Sequence, residues 1–256
     1  MALCPHKEAA DKFITSNIIE LDNHILIPGL INAHCHAPMT LLRGIADDLP
    51  LEDWLNKKIW PLEKKFISQK FVEDGAELAI AEMILSGTTC FADMYFYPDC
   101  VATKAIDSNM RVQLACPILD FPTIWAQSAD EYIQKTITIH DNYRNSELIS
   151  VAFGPHAPYT VSDAPLKKIG ELAEELDIPI HIHVHETEKE ISDSMKEFGC
   201  RPLRRLSNLR LVSPRLNCVH ATQLTEDEIE LIAESGSNIV HCPASNMKLA
   251  LSLIHI

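Results

Sequence analysis

Short apolar, β-branched runs alternate along this chain with longer amphipathic segments, and this alternation constrains the fold more than any other feature. The amphipathic segments, such as 71–87, 162–177 and 225–236, repeat apolar residues at helical spacing. The apolar runs predict strands over 25–33, 88–94, 111–119, 148–154, 178–185, 215–220 and 238–244. Strands that alternate with helices predict a parallel sheet covered by helices.

This number of strands favours a barrel over a small doubly wound sheet. A (β/α)8 barrel typically needs about 250 residues, and the whole chain has 256. We therefore predict an α/β fold, a TIM-like (β/α)8 barrel that is incomplete because about seven strands are present and the eighth is missing. Residues 25–250 would form this partial barrel.

The net charge and the cysteine pattern limit which binding partners and which cellular compartment we expect. Lys and Arg total 22 and Asp and Glu total 36, so the net charge is −14. An acidic surface repels phosphate backbones, and we expect no nucleic-acid partner. No apolar run reaches the length of a membrane span, and we expect no membrane partner. The eight cysteines form no CxxC pair, which favours reduced thiols and a cytoplasmic protein.

The first predicted strand ends in the sequence His34-Cys35-His36. Side chains two residues apart on an extended segment point the same way, so both histidines would project into the mouth of the barrel. That arrangement suits two ligands of one metal ion. A pair of hydrogen-bonded histidines beside a turn is the alternative interpretation of so short a motif.

The fifth predicted strand ends in His181, His183 and His185, which are followed by Glu186. The alternation places all three histidines toward the interior or mouth of the barrel. For His181 we favour a core histidine that is hydrogen-bonded to the backbone. Glu186 could pass a proton to a substrate or stabilise the start of the following helix, and the residues alone favour neither role.

Two further strands bring His156 and His220 to the same rim. Four strands that each bring a histidine to this rim are together stronger evidence for a metal site than any one of the motifs. Histidine-rich sites completed by a carboxylate suit Zn²⁺ or another first-row ion. We therefore predict one Zn²⁺ per subunit, with Fe or Mn as the alternatives.

Longer motifs of the chain resemble the amidohydrolase superfamily, and within it the methylthioadenosine/S-adenosylhomocysteine deaminases. They are PGLINAHCHAPMTLLRG, DDLPLEDWL, IWPLE, GTTCFADMY, PHAPYTVSD, HIHVHETEKE and HCPASNMKLA, and the resemblance runs from about residue 15 to residue 250. It implies a metal-dependent hydrolysis that replaces the 6-amino group of an adenine with oxygen and releases ammonia. The expected substrate is methylthioadenosine, S-adenosylhomocysteine or adenosine, and relatives are commonly homo-oligomers.

The resemblance implies roles for individual residues. His34, His36 and His183 match three of the family's metal ligands. Glu186 matches the carboxylate that binds the purine ring and protonates it, and His220 matches a histidine that assists the water or the leaving group.

Two other residues match substrate-binding positions of the family. His156, in PHAPY, matches a substrate-binding histidine, and Glu63, in IWPLE, matches the glutamate that contacts the ribose hydroxyls. Without the resemblance, Glu63 would be interpreted as an ordinary surface glutamate after a Trp-Pro turn. His185 receives no role, because relatives accept other residues at its position.

The resemblance fails at both ends of the chain. The family's fourth ligand is an Asp at the end of strand eight, and this sequence contains no match to it; residues 251–256 form a non-matching tail. Residues 1–24 match only a remnant of the family's small N-terminal β-sandwich. We expect a fragment of a longer deaminase that is poorly soluble and nearly inactive by itself, and a homo-oligomer for the full-length form.

Two alternatives remain open. A related amidohydrolase, such as a chlorotriazine or guanine-type hydrolase, would share the barrel and the metal, but it would not need Glu63, since only a nucleoside has a ribose to contact. A non-catalytic scaffold of the same fold would have no reason to bind stoichiometric zinc.

Overall fold

The computed structural model describes residues 4–46 and 49–248. It begins with helix α1 (His6–Lys12), which is followed by a largely exposed segment without regular structure over 13–29. The described part of 1–24 therefore contains one helix and no strand, and the assignment of this region to a β-sandwich stays a prediction. The predicted tail at 251–256 lies outside the described residues.

A single parallel sheet of seven strands follows the order of the chain and curls into a nearly closed barrel. Its strands are β1 (Leu30–Cys35), β2 (Thr88–Asp93), β3 (Arg111–Ile118), β4 (Ile149–Pro155), β5 (Ile180–Val184), β6 (Leu216–His220) and β7 (Asn238–Val240). Within the described residues no pairing joins β7 to β1. The predicted incomplete barrel is thus confirmed.

Helices separate the strands and cover the outside of the sheet. They are α2 (Leu51–Trp54), α3 (Trp60–Phe66), α4 (Gln69–Leu85), α5 (Pro98–Asp107), α6 (Ala129–Tyr143), α7 (Asp163–Leu176), α8 (Glu188–Phe198), α9 (Pro202–Asn208), α10 (Glu226–Ser235) and α11 (Pro243–Lys248). Thr225 and Glu228 form a capping box at the start of α10, and Gly236 ends that helix in the left-handed conformation. Within the described residues, none of the helices combines the length and the apolarity that a membrane span requires.

The first strand begins at Leu30, later than the predicted start at residue 25. Pro28 has no N–H to donate to a ladder, and Gly29 lies so close to Thr89 that a Cβ built there would meet its side chain at 2.2 Å. Pairing with β2 therefore starts only after this close approach. As a result His34 lies within β1, and His36 lies directly after it.

The chain leaves β1 through a 3₁₀ turn over Ala37–Leu42, and helix α4 packs against this turn. Gly75 of α4 permits the approach, because a Cβ there would meet the carbonyl oxygen of Pro38 at 2.5 Å. The core therefore supports the end of β1 from behind. All eight cysteines lie within the described residues and are free thiols, as expected.

Candidate active site

Three histidines from the ends of β1 and β5 converge inside the mouth of the barrel. His34, His36 and His183 each offer one ring nitrogen that could bind a metal ion. These three nitrogens lie within 4.8 Å of one another. The Nε2 atoms of His34 and His183 are 3.0 Å apart, although the two residues are 149 positions apart in the chain. The geometry thus brings together the three residues that the sequence analysis grouped.

The opposite ring nitrogens of two of these histidines are held by backbone carbonyl groups. Nδ1 of His36 donates to the carbonyl oxygen of Met94 at 2.6 Å, and Nδ1 of His183 donates to that of His156 at 2.7 Å. Because a carbonyl oxygen can only accept, both Nδ1 atoms carry the hydrogen, and both Nε2 atoms keep a lone pair. Outer hydrogen bonds of this kind orient metal-binding histidines in proteins.

The electrostatics of the cluster keep its imidazoles neutral. Burial, followed by the repulsion of neighbouring histidines, lowers the pKa of His34 and that of His183 well below the usual value, and burial also lowers the pKa of His36. Neutral imidazole is the form that binds a metal ion. The donor atoms, their spacing and their protonation therefore fit a divalent ion such as Zn²⁺.

Glu186 follows β5 and lines the same cavity, whose volume is about 560 Å³. The residue before it, His185, has φ of 57°, an uncommon conformation for a non-glycine residue that turns the chain sharply. Glu190 fixes the turn, since its carboxylate accepts the backbone N–H of His185 at 2.9 Å and that of Glu186 at 2.8 Å. Burial raises the pKa of Glu186 to about 7.

The alternative role for Glu186, as a charge at a helix start, does not agree with this position. Helix α8 begins at Glu188, and the Thr187 side chain caps it by accepting from the N–H of Glu190. Glu186 precedes the cap, and its Oε1 lies 3.4 Å from Nε2 of His220. The carboxyl group therefore faces the cavity.

His220 ends β6, where His220 and Ala221 have φ of 73° and 49°. Nδ1 of His220 is 2.9 Å from Oδ1 of Asn246, a fully buried residue of α11. Since the amide oxygen accepts, the hydrogen lies on Nδ1, and Nε2 faces Glu186 as an acceptor. The sequence analysis missed Asn246; its position shortly after β7, at the end of the barrel that carries the site, is the feature that could have identified it.

A second cavity of about 650 Å³ adjoins the first, and both are lined by His36 and His156. Glu63, on α3, lines this second cavity and accepts a hydrogen bond from the Tyr95 hydroxyl at 2.8 Å. Burial raises the pKa of Glu63 to about 7. The interpretation of Glu63 as an ordinary surface residue is therefore wrong, because a helix and the end of a strand enclose it together. Tyr95 was not identified from the sequence.

Comparison with known proteins agrees with the barrel fold. The family model described as the amidohydrolase family matches residues 25–256. The chain belongs to the amidohydrolase family.

This amidohydrolase is 53% identical over 249 residues to the 5-methylthioadenosine/S-adenosylhomocysteine deaminase of Teredinibacter turnerae, with 97% of this chain and 56% of the relative covered. It is 56% identical over 232 residues to the protein of the same name from Saccharophagus degradans, with 91% and 52% covered. The chain thus spans about half the length of the curated relatives it matches.

A solved structure is also similar to this chain. It is described as an adenosine deaminase from Xanthomonas campestris with bound zinc. The two share 53% sequence identity and a TM-score of 0.86, over 88% of this chain and 51% of the other.

The two remaining histidines of this segment are His181, within β5, and His185, directly after it, and their surroundings differ. His181 is a core residue, as predicted, with 1% of its surface exposed, but its partner is not the backbone: Nε2 lies 2.9 Å from Nδ1 of His34. His185 points away from the ligand group and accepts the backbone N–H of Leu203 at 2.9 Å. His185 therefore has a structural contact, in agreement with its lack of an assigned role.

Proposed function

We propose that this chain forms the metal-binding part of a hydrolase that removes the adenine 6-amino group of methylthioadenosine, S-adenosylhomocysteine or adenosine. The observation that carries the proposal is the convergence of three neutral imidazoles beside Glu186, a buried carboxyl group with a pKa of about 7. Such a group can hold or release a proton near neutral pH. The names of the relatives agree with this chemistry.

The ion we propose is Zn²⁺, held by His34, His36 and His183, with Fe or Mn as alternatives. Zinc is also the ion in the similar structure from Xanthomonas campestris. When bound, it would act as a Lewis acid and lower the pKa of a water molecule. The ligand group of the described residues consists of these three histidines, and the Asp expected as a fourth ligand is not among them.

The reaction joins a water oxygen to C6 of the purine and breaks the bond between C6 and the amino nitrogen, which leaves as ammonia. We assign to Glu186 the transfer of a proton to the purine ring, because its carboxyl group is partly protonated at neutral pH. His220 is assigned the transfer of one water proton to the leaving amine, since its Nε2 faces the cavity as an acceptor. The second water proton goes to Glu186 and replaces the one given to the ring, so both hydrogens of the water are accounted for.

The second cavity would hold the rest of the nucleoside. Tyr95 binds one oxygen of the Glu63 carboxylate, and the other oxygen is available to the ribose hydroxyls. Trp60, Leu119 and Phe121 give this cavity an apolar wall that suits a thioether. His156 lines both cavities and is assigned a substrate contact. A homo-oligomer and a cytoplasmic location remain predictions for the full-length protein.

The test compares zinc and ligand binding in the wild-type chain and in Glu63→Ala. We expect one zinc per chain by metal analysis. The variant should bind methylthioadenosine about 10- to 100-fold more weakly in titration calorimetry, the effect of one hydrogen bond to a charged group, and should bind free adenine as the wild type does. Glu230→Ala, at an exposed glutamate of α10, is the matched control and should bind both ligands normally.

The outcomes separate the alternatives. Equal binding of methylthioadenosine by Glu63→Ala and the wild type would contradict the ribose contact and favour a hydrolase of free bases or triazines. A wild-type chain that takes up no stoichiometric zinc would contradict the metal centre and favour a non-catalytic scaffold.

A further inference from the structure

Each of the three proposed ligands has one hydrogen-bond partner behind it, and only one of these partners is a side chain. For His36 and His183 the partner is a backbone carbonyl oxygen, which no substitution can remove. For His34 the partner is the Nε2 atom of His181, 2.9 Å from Nδ1. The two rings are stacked, with their centroids 5.1 Å apart.

The hydrogen between the two rings can lie on either of them. If His181 donates, the neutral His34 ring carries its hydrogen on Nε2, and this hydrogen points at Nε2 of His183, 3.0 Å away. A ring in that state cannot bind an ion through Nε2. If His34 donates instead, its Nε2 keeps a lone pair. Each ring holds one hydrogen in both arrangements, so the change between them needs no net uptake or loss of protons.

We infer that His181 is a positioning residue, which accepts the Nδ1 hydrogen of His34 and thereby holds His34 in the tautomer that binds the metal. The inference rests on the proposed function, because it presupposes the metal centre. A backbone carbonyl can only accept a hydrogen bond, whereas His181 can either accept or donate through Nε2. His181 therefore satisfies His34 both with and without an ion.

The other nitrogen of His181 supports a role beyond folding. Its Nδ1 is buried and has no hydrogen-bond partner among the residues that the structure describes. In the tautomer that accepts from His34, this atom carries the hydrogen, and a buried donor without a partner destabilises the folded chain. A side chain that only filled the core would not need a ring that carries this unpaired nitrogen. The cost is therefore explained by the bond to His34.

The experiment compares the wild-type chain with His181→Leu, His181→Gln and His140→Leu. Leu removes the acceptor, whereas the Gln side-chain carbonyl can reach the position of Nε2. His140, on α6, is the control, because its Nδ1 is also buried without a hydrogen bond among the described residues, although Oδ1 of Asp141 lies 3.4 Å away, and because His140 lies outside the ligand group. Zinc affinity is measured by competition with a chromophoric chelator, and the stability of the metal-free chain by urea unfolding.

We expect His181→Leu to bind zinc about 10- to 100-fold more weakly, while its metal-free form unfolds at about the same urea concentration as the wild type, because removal of the unpaired Nδ1 of His181 offsets the loss of the partner of His34. His181→Gln should restore the affinity to within a few-fold of wild type, and His140→Leu should bind zinc normally.

Wild-type affinity in His181→Leu would overturn the inference and leave the proposed metal centre intact. A metal-free His181→Leu chain that is destabilised or unfolded would also overturn the inference, because the role of His181 would then be structural. A wild-type chain that binds no zinc would overturn the metal centre itself, and the inference with it.

Discussion

The three histidines of the ligand group and the carboxylate of Glu63 line neighbouring cavities, yet they are held in different ways. The histidines lie at or directly after the ends of β1 and β5, and hydrogen bonds from behind fix the ring orientations. Glu63 lies on the short helix α3, which follows a π turn over Leu55–Ile59. The bond from the Tyr95 hydroxyl holds its carboxylate.

This difference separates a rigid end of the site from an adjustable one. Strand β5 is paired on both sides, and β1 is paired with β2 while α4 packs against the turn that follows it, so residues at these strand ends can hold an ion within narrow limits of geometry. A side chain on a short connecting helix can adapt to ligands of different size. We therefore expect changes at the histidine end to abolish binding of the ion and changes at the Glu63 end to shift affinity or stability by smaller amounts.

The largest effect is expected for His36→Ala. It removes one of three ligands, and zinc affinity should fall by more than the roughly 100-fold that accompanies loss of an outer hydrogen-bond partner. Chelator competition measures this effect. His241→Ala, which changes a histidine of the same cavity outside the ligand group, should bind zinc normally. An equal loss in both variants would show that the cavity as a whole, and not this set of ligands, determines metal binding.

The next effect is confined to turnover and is expected for Glu186→Gln. The amide keeps the shape of the side chain but cannot transfer a proton, so ammonia release by the zinc-loaded full-length protein that contains this chain should fall by about 10²- to 10⁴-fold relative to its wild type. Zinc affinity should stay unchanged. The exposed Glu188 gives the control variant Glu188→Gln, which should release ammonia at the wild-type rate. Loss of zinc together with activity would instead identify Glu186 as a ligand.

The smallest effect is expected at Glu63, in the pH dependence of stability. Burial raises its pKa in the folded chain to about 7, above the usual value of 4.5. The folded chain thus holds this proton more tightly than the unfolded chain does. The stabilisation is fully present below pH 4.5 and is lost as the pH rises through 7.

Glu63→Gln removes this titration. Between pH 4.5 and pH 7.5 the wild type should therefore lose about 1–2 kcal/mol more unfolding free energy than the variant, a figure reduced for the partial solvent access of the side chain. Urea unfolding at the two pH values measures the difference. Glu230→Gln should follow the wild-type profile, and a Glu63→Gln profile parallel to that of the wild type would contradict the raised pKa.

Local patterns were sufficient for most of the barrel and for the rigid end of the site. The period-two alternation of His34 with His36 and of His181 with His183 follows from strand geometry, and the end of a barrel strand is where polar residues meet. The start of β1 was mispredicted, because the apolar run over 25–29 resembles a strand. The close contact between Gly29 and Thr89 that delays the strand joins residues far apart in the chain.

The sequence by itself determined the alternation of strands and helices, the capping box at Thr225 and Glu228, and the grouping of histidines at strand ends, because each depends on residues a few positions apart. Only the tertiary structure decided the partners: His181 with His34, Asn246 with His220, and Tyr95 with Glu63. These pairs join residues 147, 26 and 32 positions apart. Hydrogen bonds at such separations depend on how the strands curl around the site, and a pattern within a few neighbouring residues cannot predict that arrangement.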